Sequence, residues 1–231
     1  MGAEAGKLMK QESVGQMSES RRLAVILAVS GGLMDAYTYL LRGKVFANAQ
    51  TGNILLFGVN LSEGSFREAL RYFFPVLAFA LGIVTAELIR HFFPEGKGFH
   101  WRQWAVLAEC VILFFVGLMP LTYNGFANAM VSFACGIQVE SFRKVKGNAC
   151  ATTMCIGNFR SGTQAVCDFL FSGERSSLLK GLTYYGIIGA FTFGAVVGNA
   201  AVKLFGQRAV WCSSLLLVLS FIVMFQKQDK K

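Results

Sequence analysis

The sequence is poor in charge and in the residues on which most active sites depend. Only 15% of its 231 residues are charged, against about 25% in soluble domains. Its two histidines, His91 and His100, fall in one expected loop, and its six cysteines form no Cys-x-x-Cys pair. This argues against a metal site and a disulfide framework. No Ser–His pattern and no Gly-rich nucleotide motif is present either. We therefore expect no enzyme activity and no cofactor.

Apolar residues are abundant instead. They make up 54% of the chain, Phe alone occurs 22 times, and the mean hydropathy is +0.50. These values lie beyond soluble domains, in the direction of a polytopic membrane protein. The net charge is +9, but the bases lie in tails and loops between apolar runs, where they act as topology signals. We therefore expect the lipid bilayer as a partner, and no nucleic acid.

Runs of about 20 apolar residues predict membrane-spanning helices. We expect an all-α polytopic membrane protein with a polar cytosolic tail over 1–20, one integral membrane domain, and a basic cytosolic tail over 227–231. Small residues four apart, Gly82 with Ala86 and Gly194 with Gly198, predict close helix packing. Six runs are long enough to span the bilayer: Leu23–Leu41, Tyr72–His91, Trp104–Leu121, Phe126–Phe142, Gly181–Val202 and Ala209–Phe225.

Two further apolar segments are interrupted by polar residues, and they resemble each other. Thr51-Gly52-Asn53 recurs as Ile156-Gly157-Asn158, 105 positions later. The same offset pairs Gly31 with Gly136, and Asp35 with Glu140. We therefore predict two repeats, over 21–122 and 126–226, each with three spans and one short broken or re-entrant helix.

The distribution of Lys and Arg favours segments that return to the side they entered. If both interrupted segments cross, 11 bases lie inside and 10 outside, with Arg160 left out; if both return, 16 lie inside and 6 outside. The positive-inside rule favours the second arrangement. Six spans with cytosolic termini follow, and the two three-span repeats then run in opposite senses through the membrane.

The sequence resembles the YoaK-like family of bacterial six-span membrane proteins of unknown function. The likeness is carried by the stretch 31–36, Gly-Gly-Leu-Met-Asp-Ala, and by 46–53, Phe-Ala-Asn-Ala-Gln-Thr-Gly-Asn. It departs from the family where Gln50 replaces a common Met, and where Ile156-Gly157-Asn158 replaces a more usual Thr-Gly-Thr. The resemblance implies this architecture and a multi-pass location in the bacterial cytoplasmic membrane, but no substrate.

Two carboxylates inside apolar runs are the sharpest candidates for a binding role. Asp35 lies roughly 10 Å inside the first span, at 1.5 Å per helical residue, and Glu109 has a similar depth in the span that begins at Trp104. Acids at such depth face the protein interior and mark ion or proton pathways. The alternative for Asp35 is a structural hydrogen bond to Thr38 or Tyr39, one helical turn on.

Other acids are explained by ion pairs at a helix end. Glu140 precedes Arg143 and Lys144 by three and four residues, and Glu87 precedes Arg90 by three. Such spacings place opposite charges side by side on a helix. Glu87 is therefore interpreted as structural, and Glu140 is the weakest of the candidate acids.

The polar clusters have two compatible interpretations. Thr51 or Asn53 would cap a helix N-terminus, with Gly52 easing the turn. A half-helix beginning inside the membrane would also point free N–H groups at a bound anion or carboxylate. Arg160 would pair with an intramembrane acid or add positive charge to the second cluster. The expected solute- or ion-binding residues are Asp35, Asn48, Gln50, Thr51, Gly52, Asn53, Glu109, Gln138, Glu140, Thr152, Thr153, Gly157, Asn158 and Arg160.

These features support two functional hypotheses. Duplicated broken helices with intramembrane acids are typical of a transporter or channel for a small polar or ionic solute. The alternative is a membrane scaffold or accessory subunit, whose polar clusters would serve helix packing and partner contacts. A polar patch facing lipid would favour the alternative. The sequence names neither the solute nor the oligomeric state.

Overall fold

The computed structural model describes residues 20–92, 101–145 and 147–224. The expected tails and the loop that contains His100 lie outside these residues, apart from Ser20, which caps the first helix by accepting a hydrogen bond from the Leu23 amide. The helices are α1 (Arg21–Leu41), α2 (Gln50–Ser62), α3 (Phe66–Phe92), α4 (Trp101–Leu118), α5 (Asn124–Ser141), α6 (Cys155–Ser172), α7 (Arg175–Phe205) and α8 (Trp211–Val223).

Short irregular elements connect some of these helices. A 3₁₀ turn at Leu121–Tyr123 precedes α5, and another at Gly206–Val210 precedes α8. The all-α prediction misses a small hairpin in which β1 (Lys144–Val145) pairs antiparallel with β2 (Asn148–Ala149). Gly147 has a φ of +78° in its turn, a conformation that glycine adopts without steric cost. The protein is therefore helical with one minor hairpin.

The helices carry the apolar surface of a membrane protein. Four stretches of the described chain are long and apolar enough to cross a bilayer: Arg21–Leu41, Phe66–Phe92, Trp101–Leu118, and Arg175–Val223, which contains α7 and α8. Large apolar side chains such as Phe74, Leu81, Phe193 and Leu215 are exposed on the outer faces of these stretches. Exposed apolar surface of this extent suits contact with lipid. The count of six spans stays a prediction.

Helices α1 and α5 occupy the centre of the molecule, since more than half of the residues of each are buried. They pack with α4 and α8 around one apolar cluster that includes Leu27, Met34, Leu113, Val131 and Leu217. The most extensive contacts join α1 to α7 and α5 to α3. The first helix of each predicted repeat therefore packs mainly on the third helix of the other.

Glycines allow the α1–α7 contact to be close. A side-chain carbon at Gly32 would overlap the backbone carbonyl oxygen of Phe191, and one at Gly194 would overlap that of Val29. The α3–α5 contact is built in the same way, as Gly136 faces the carbonyl of Phe79 and Gly82 that of Phe133. These contacts confirm that the small residues on α3 and α7 serve close helix packing.

Helices α2 and α6 lie at the periphery of the molecule. Asn53 is the one buried residue of α2, and α6 buries three, Asn158, Gly162 and Ala165. Each of these helices packs chiefly on its successor, α2 on α3 and α6 on α7. These two helices lie outside the centre of the bundle because α1 and α5 fill that space. The 18-residue α6 is also longer than expected, about 27 Å.

Arg42 is a fully buried cation at the end of α1. No acid pairs with it among the described residues, yet each of its five N–H groups donates a hydrogen bond. The charge count treats Arg42 as a loop residue, whereas its guanidinium lies against the carboxyl end of α4, where carbonyl groups lack helical partners. Its acceptors are the Tyr37 hydroxyl at 2.8 Å, the carbonyls of Val116 (3.0 Å), Met119 (2.8 Å) and Pro120 (3.2 Å), and Asn124 Oδ1 (3.3 Å).

The Arg42 contacts extend to two further junctions. Its own carbonyl accepts from Asn128 Nδ2 on α5 at 2.8 Å, and the Tyr37 hydroxyl donates to the Gln207 carbonyl at 3.0 Å, in the turn before α8. The Arg42 side chain thus connects the end of α1 with the end of α4 and the start of α5. Through Tyr37 it is also connected to the turn before α8. Since α1 leads directly into the segment before α2, this anchoring also fixes where that segment begins.

The glycine contacts predict that Gly82→Ala and Gly194→Ala each destabilise the fold, because the added carbon meets backbone atoms that cannot rotate away. Overpacking of this kind costs about 1–3 kcal/mol. Thermal unfolding of the purified protein in detergent measures the effect. Gly186→Ala and Gly189→Ala are matched controls on α7, as nothing lies within 4 Å of an added carbon there. Equal unfolding temperatures for all four variants would contradict the close-packing role.

The Arg42 contacts predict that Arg42→Met lowers the free energy of unfolding by about 3 kcal/mol or more, because several buried carbonyls lose their donor at about 1–3 kcal/mol each. Arg42→Lys restores only part of the loss, since an ammonium group has three donors and no fork geometry. Lys44→Met, two residues along the chain at an exposed position, is the control. An Arg42→Lys variant as stable as the wild type would show that charge alone suffices.

Candidate functional site

The turn before α2 is held by the amide side chain of Asn53. Its Oδ1 accepts from the Phe46 amide at 3.0 Å, and its Nδ2 donates to the Phe46 carbonyl at 2.7 Å and to Gln50 Oε1 at 2.8 Å. Asn53 is fully buried, and it pairs with backbone groups seven residues upstream instead of capping a helix. The predicted N-cap role of Thr51 or Asn53 is therefore wrong, because α2 already begins at Gln50.

The second cluster repeats this arrangement. Asn158 is buried, and its Nδ2 donates to the Ala151 carbonyl, again seven residues upstream, at 2.6 Å. Gln138 on α5 supports the same segment, since its Nε2 donates to Thr152 Oγ1 at 3.4 Å and to the Leu27 carbonyl of α1 at 3.3 Å. Asn53, Asn158, Gln138 and Thr152 are therefore braces whose polar atoms largely serve the backbone.

Asp35 holds the first turn from the side of α1. Its Oδ1 accepts from the Asn48 amide at 2.7 Å, and the amides of Ala47 and Ala49 face the same carboxylate. The expected bond with Thr38 involves the backbone of Asp35 and not its carboxylate, because the Thr38 hydroxyl donates to the carbonyls of Met34 at 3.1 Å and of Asp35 at 3.3 Å. The Asp35 carboxylate therefore takes its donors from the loop and not from its own helix.

The start of α2 offers less to an anion than the sequence suggests. The Gln50 amide donates to the Asn48 carbonyl at 2.8 Å, and the Gly52 amide donates to the Ala49 carbonyl at 2.9 Å. The Asn48 amide is taken by Asp35. Two of these N–H groups are paired within the turn and the third with α1, so they are not free to bind an anion.

A cavity of about 610 Å³ lies between the two turns. Both interrupted segments contribute to it, together with α1, α3 and α7. The kind of ligand that this cavity can bind depends on Asp35, Thr153 and four aromatic residues of its wall. Its lining residues are Asp35, Ala36, Tyr39, Phe46, Asn48, Ala49, Gln50, Thr51, Phe79, Thr153, Met154, Cys155, Ile156, Gly157, Phe191 and Ala195.

Two polar atoms of this lining have no hydrogen-bond partner among the described residues. They are Asn48 Oδ1 and Thr153 Oγ1, in side chains that are each 4% exposed. Asn48 Nδ2 donates to the Gly31 carbonyl at 3.2 Å, which identifies Oδ1 as the unpaired atom. A buried polar atom without a partner costs about 1–3 kcal/mol. A bound ligand or water supplying donors to these atoms would recover that free energy.

Several predicted site residues lie away from this cavity. Glu109 is fully buried, and neither of its carboxylate oxygens has a partner within the described part of the chain, but it does not line the cavity. Glu140 forms an ion pair with Arg143 at 3.0 Å, and Arg143 also lies 3.7 Å from Glu87. Glu87 pairs with Arg90 at 2.6 Å. The helix-end ion pairs are therefore confirmed.

Arg160 does not fulfil its predicted role. Its side chain is exposed on α6, and no ion pair joins it to an acid within residues 20–92, 101–145 and 147–224. The reason is the helical register of α6, which turns Asn158 inward and Arg160 outward. Of the remaining predicted residues, Gln50, Thr51 and Gly157 line the cavity, whereas Gly52 does not.

The aromatic wall is the part of the site that the sequence reasoning misses. Tyr39 stacks on Phe46, with ring centroids 5.0 Å apart and planes 23° apart, while Phe79 and Phe191 come from α3 and α7. The sequence does contain a signal for this wall. A Phe lies three residues before a packing glycine on α3, where Phe79 precedes Gly82, and again on α7, where Phe191 precedes Gly194. Small-molecule sites combine an apolar, aromatic wall with a few polar groups in this way.

Comparisons with known proteins agree with a membrane architecture. The model of a family described as "Protein of unknown function (DUF1275)" matches residues 23–223. The UPF0700 transmembrane protein YoaK of Bacillus subtilis (strain 168) is 22% identical over 209 residues, which cover 84% of this chain and 89% of that protein. No solved structure matches. The resemblance to YoaK-like membrane proteins is thereby confirmed.

The two amide braces predict unequal losses of stability. Asn53→Ala removes three hydrogen bonds and leaves both backbone groups of Phe46 unpaired, so we expect a loss of about 2–4 kcal/mol at roughly 1–3 kcal/mol per unpaired group. Asn158→Ala removes one bond and loses less. Asn60→Ala is the control on α2, because its amide contacts only the Leu56 carbonyl of the same helix. Unfolding in detergent gives the order, and a reversed order would contradict this assignment.

Proposed function

We propose that this chain, which belongs to the protein family of unknown function DUF1275, is a transporter or channel for a small polar or ionic solute. The observation that carries the proposal is the cavity between the two interrupted segments. Each segment contributes to its wall a residue with a buried oxygen that has no partner among residues 20–92, 101–145 and 147–224. Transporters that contain inverted repeats bind their solutes where the two repeats meet, next to interrupted helices.

The packing of the helices supports a duplicated origin of this cavity. Exchanging α1–α4 with α5–α8 leaves the main contacts unchanged. The pair α1–α7 exchanges with α5–α3, α2–α3 with α6–α7, and α4–α5 with α8–α1. The matching braces of Asn53 and Asn158 obey the same exchange. We therefore propose two repeats that share one cavity.

The proposed orientation follows from charge. Six spans with both termini in the cytosol keep most Lys and Arg inside, and removing the buried Arg42 from the outer group strengthens that bias. The repeats would then have opposite senses in a bacterial cytoplasmic membrane. In this arrangement the segments that begin α2 and α6 would enter from opposite faces and meet at the cavity.

The second candidate is a membrane scaffold or accessory subunit, and one surface favours it. Arg160, Gln164 and Asp168 are exposed and lie four residues apart along α6, so they form a single polar stripe. Such a stripe is costly against lipid, whereas a partner protein would satisfy it. Substitutions can test the two candidate functions independently, because the stripe lies outside the cavity lining.

Transport is tested with the full chain reconstituted in liposomes, by measuring the uptake of radiolabelled inorganic cations, small amines, carboxylates and neutral polar compounds. We expect at least one class to give a signal absent from protein-free liposomes. Asp35→Asn should reduce it by tenfold or more, since the cavity wall loses its carboxylate. Asp168→Asn, which removes an exposed acid of α6, should leave it unchanged. Silence across all classes would overturn transport and favour the scaffold.

A further inference from the structure

The cavity wall has the chemistry of a site for a protonated amine with an apolar body, and we propose that organic amines are the solute class. This inference rests on the solute-binding role proposed above. Three properties of the wall support it: its charge, its unpaired acceptors and its aromatic rings.

The charge of the wall is negative. Asp35 is its one acidic residue, and none of the described lining residues is Lys or Arg. An anion would therefore meet a carboxylate without a compensating base, while the nearest amides of the turn are already paired. Burial in a low-dielectric environment strengthens the attraction of a cation to a carboxylate. The wall thus favours cations over anions.

The unpaired polar atoms are oxygen atoms that accept hydrogen bonds. Asn48 Oδ1 and Thr153 Oγ1 come from the two different turns, and each lacks a partner among described residues. Together with the Asp35 carboxylate they provide three acceptors, and an ammonium group carries three N–H donors. A quaternary ammonium has no N–H group and would leave the hydrogen-bonding capacity of this set unused. The acceptors therefore favour an amine that keeps its N–H groups.

The rest of the wall fits an organic body better than a bare ion. Tyr39, Phe46, Phe79 and Phe191 line a space of about 610 Å³, which lies within the range of small-molecule pockets. Aromatic faces attract cations electrostatically. Lys44 Nζ already lies 4.6 Å from the centroid of Tyr39, so the rings of Phe79 and Phe191 are the ones assigned to the amine. An inorganic ion alone would leave most of this volume and apolar surface without contact.

The test uses three probes that share one aromatic body: phenethylamine, 2-phenylethanol and 3-phenylpropanoate. Their binding to the purified full chain in detergent is measured by calorimetry at pH 7, where an alkyl amine is protonated. We expect the amine to bind at least tenfold more tightly than the alcohol or the carboxylate. Equal or tighter binding of either of these would overturn the amine class while leaving a solute site in place.

Two variants connect the preference to the wall. Asp35→Asn keeps an oxygen for the Asn48 amide and should weaken amine binding tenfold or more, with little change for the alcohol. Thr153→Val preserves shape and removes an unpaired hydroxyl, so it should weaken amine binding severalfold while the unfolding temperature stays equal or rises. Asp168→Asn should change nothing. Undiminished amine binding in a folded Thr153→Val protein would remove that hydroxyl from the site.

The outcomes separate this inference from the proposed function. Amine binding without movement of any solute across liposomes would overturn transport and keep the amine site. Movement of an anion or a neutral solute, with no binding of phenethylamine, would overturn the amine class and keep transport. Binding of phenethylamine that neither Asp35→Asn nor Thr153→Val alters would place the amine outside this cavity and overturn the inference.

Discussion

The arrangement of this protein depends on a buried guanidinium that pairs with no acid in the described part of the chain. Arg42 donates all five of its N–H groups to neutral oxygens, mostly backbone carbonyls at the end of α4. Removing a cation from water is expensive unless several dipoles replace the lost solvation, and a helix carboxyl terminus presents such dipoles together. Because the bonds are directional, they fix the end of α1, and with it the path of the chain toward the cavity.

The polar groups of the two interrupted segments divide into two kinds. The amides of Asn53 and Asn158 pair with their own turns and give these segments a defined shape without regular secondary structure. The oxygens of Asn48 and Thr153 remain unpaired beside the cavity. A sequence built only for packing gains nothing from buried unpaired oxygens, since an apolar residue of the same shape would be at least as stable. The contrast between paired and unpaired atoms is the basis for assigning a ligand to the cavity.

Much of the fold follows from local patterns, and much of the site does not. Apolar runs and small-residue spacings predict the long helices and the close contacts at Gly82 and Gly194, because both depend on residues near each other in sequence. Ion pairs at Glu87 and Glu140 are predictable for the same reason. The burial of Arg42 is not, since four of its five acceptors lie more than seventy residues away, and a base at the end of an apolar run also fits a loop. Likewise the aromatic wall joins residues of α1, α3 and α7 that only the tertiary structure brings together.

The exchange of packing partners between the two ends of the chain has a consequence for biosynthesis. Helix α1 is the first to leave the ribosome, yet its principal partner, α7, is among the last. Contacts between such distant segments form slowly, because the loop must close before they stabilise the chain. Until then the backbone groove at Gly32 stays open, and the buried polar groups of α1, Asp35 included, have to be tolerated in the bilayer. The α1–α7 contact can therefore form only after α7 has been synthesised.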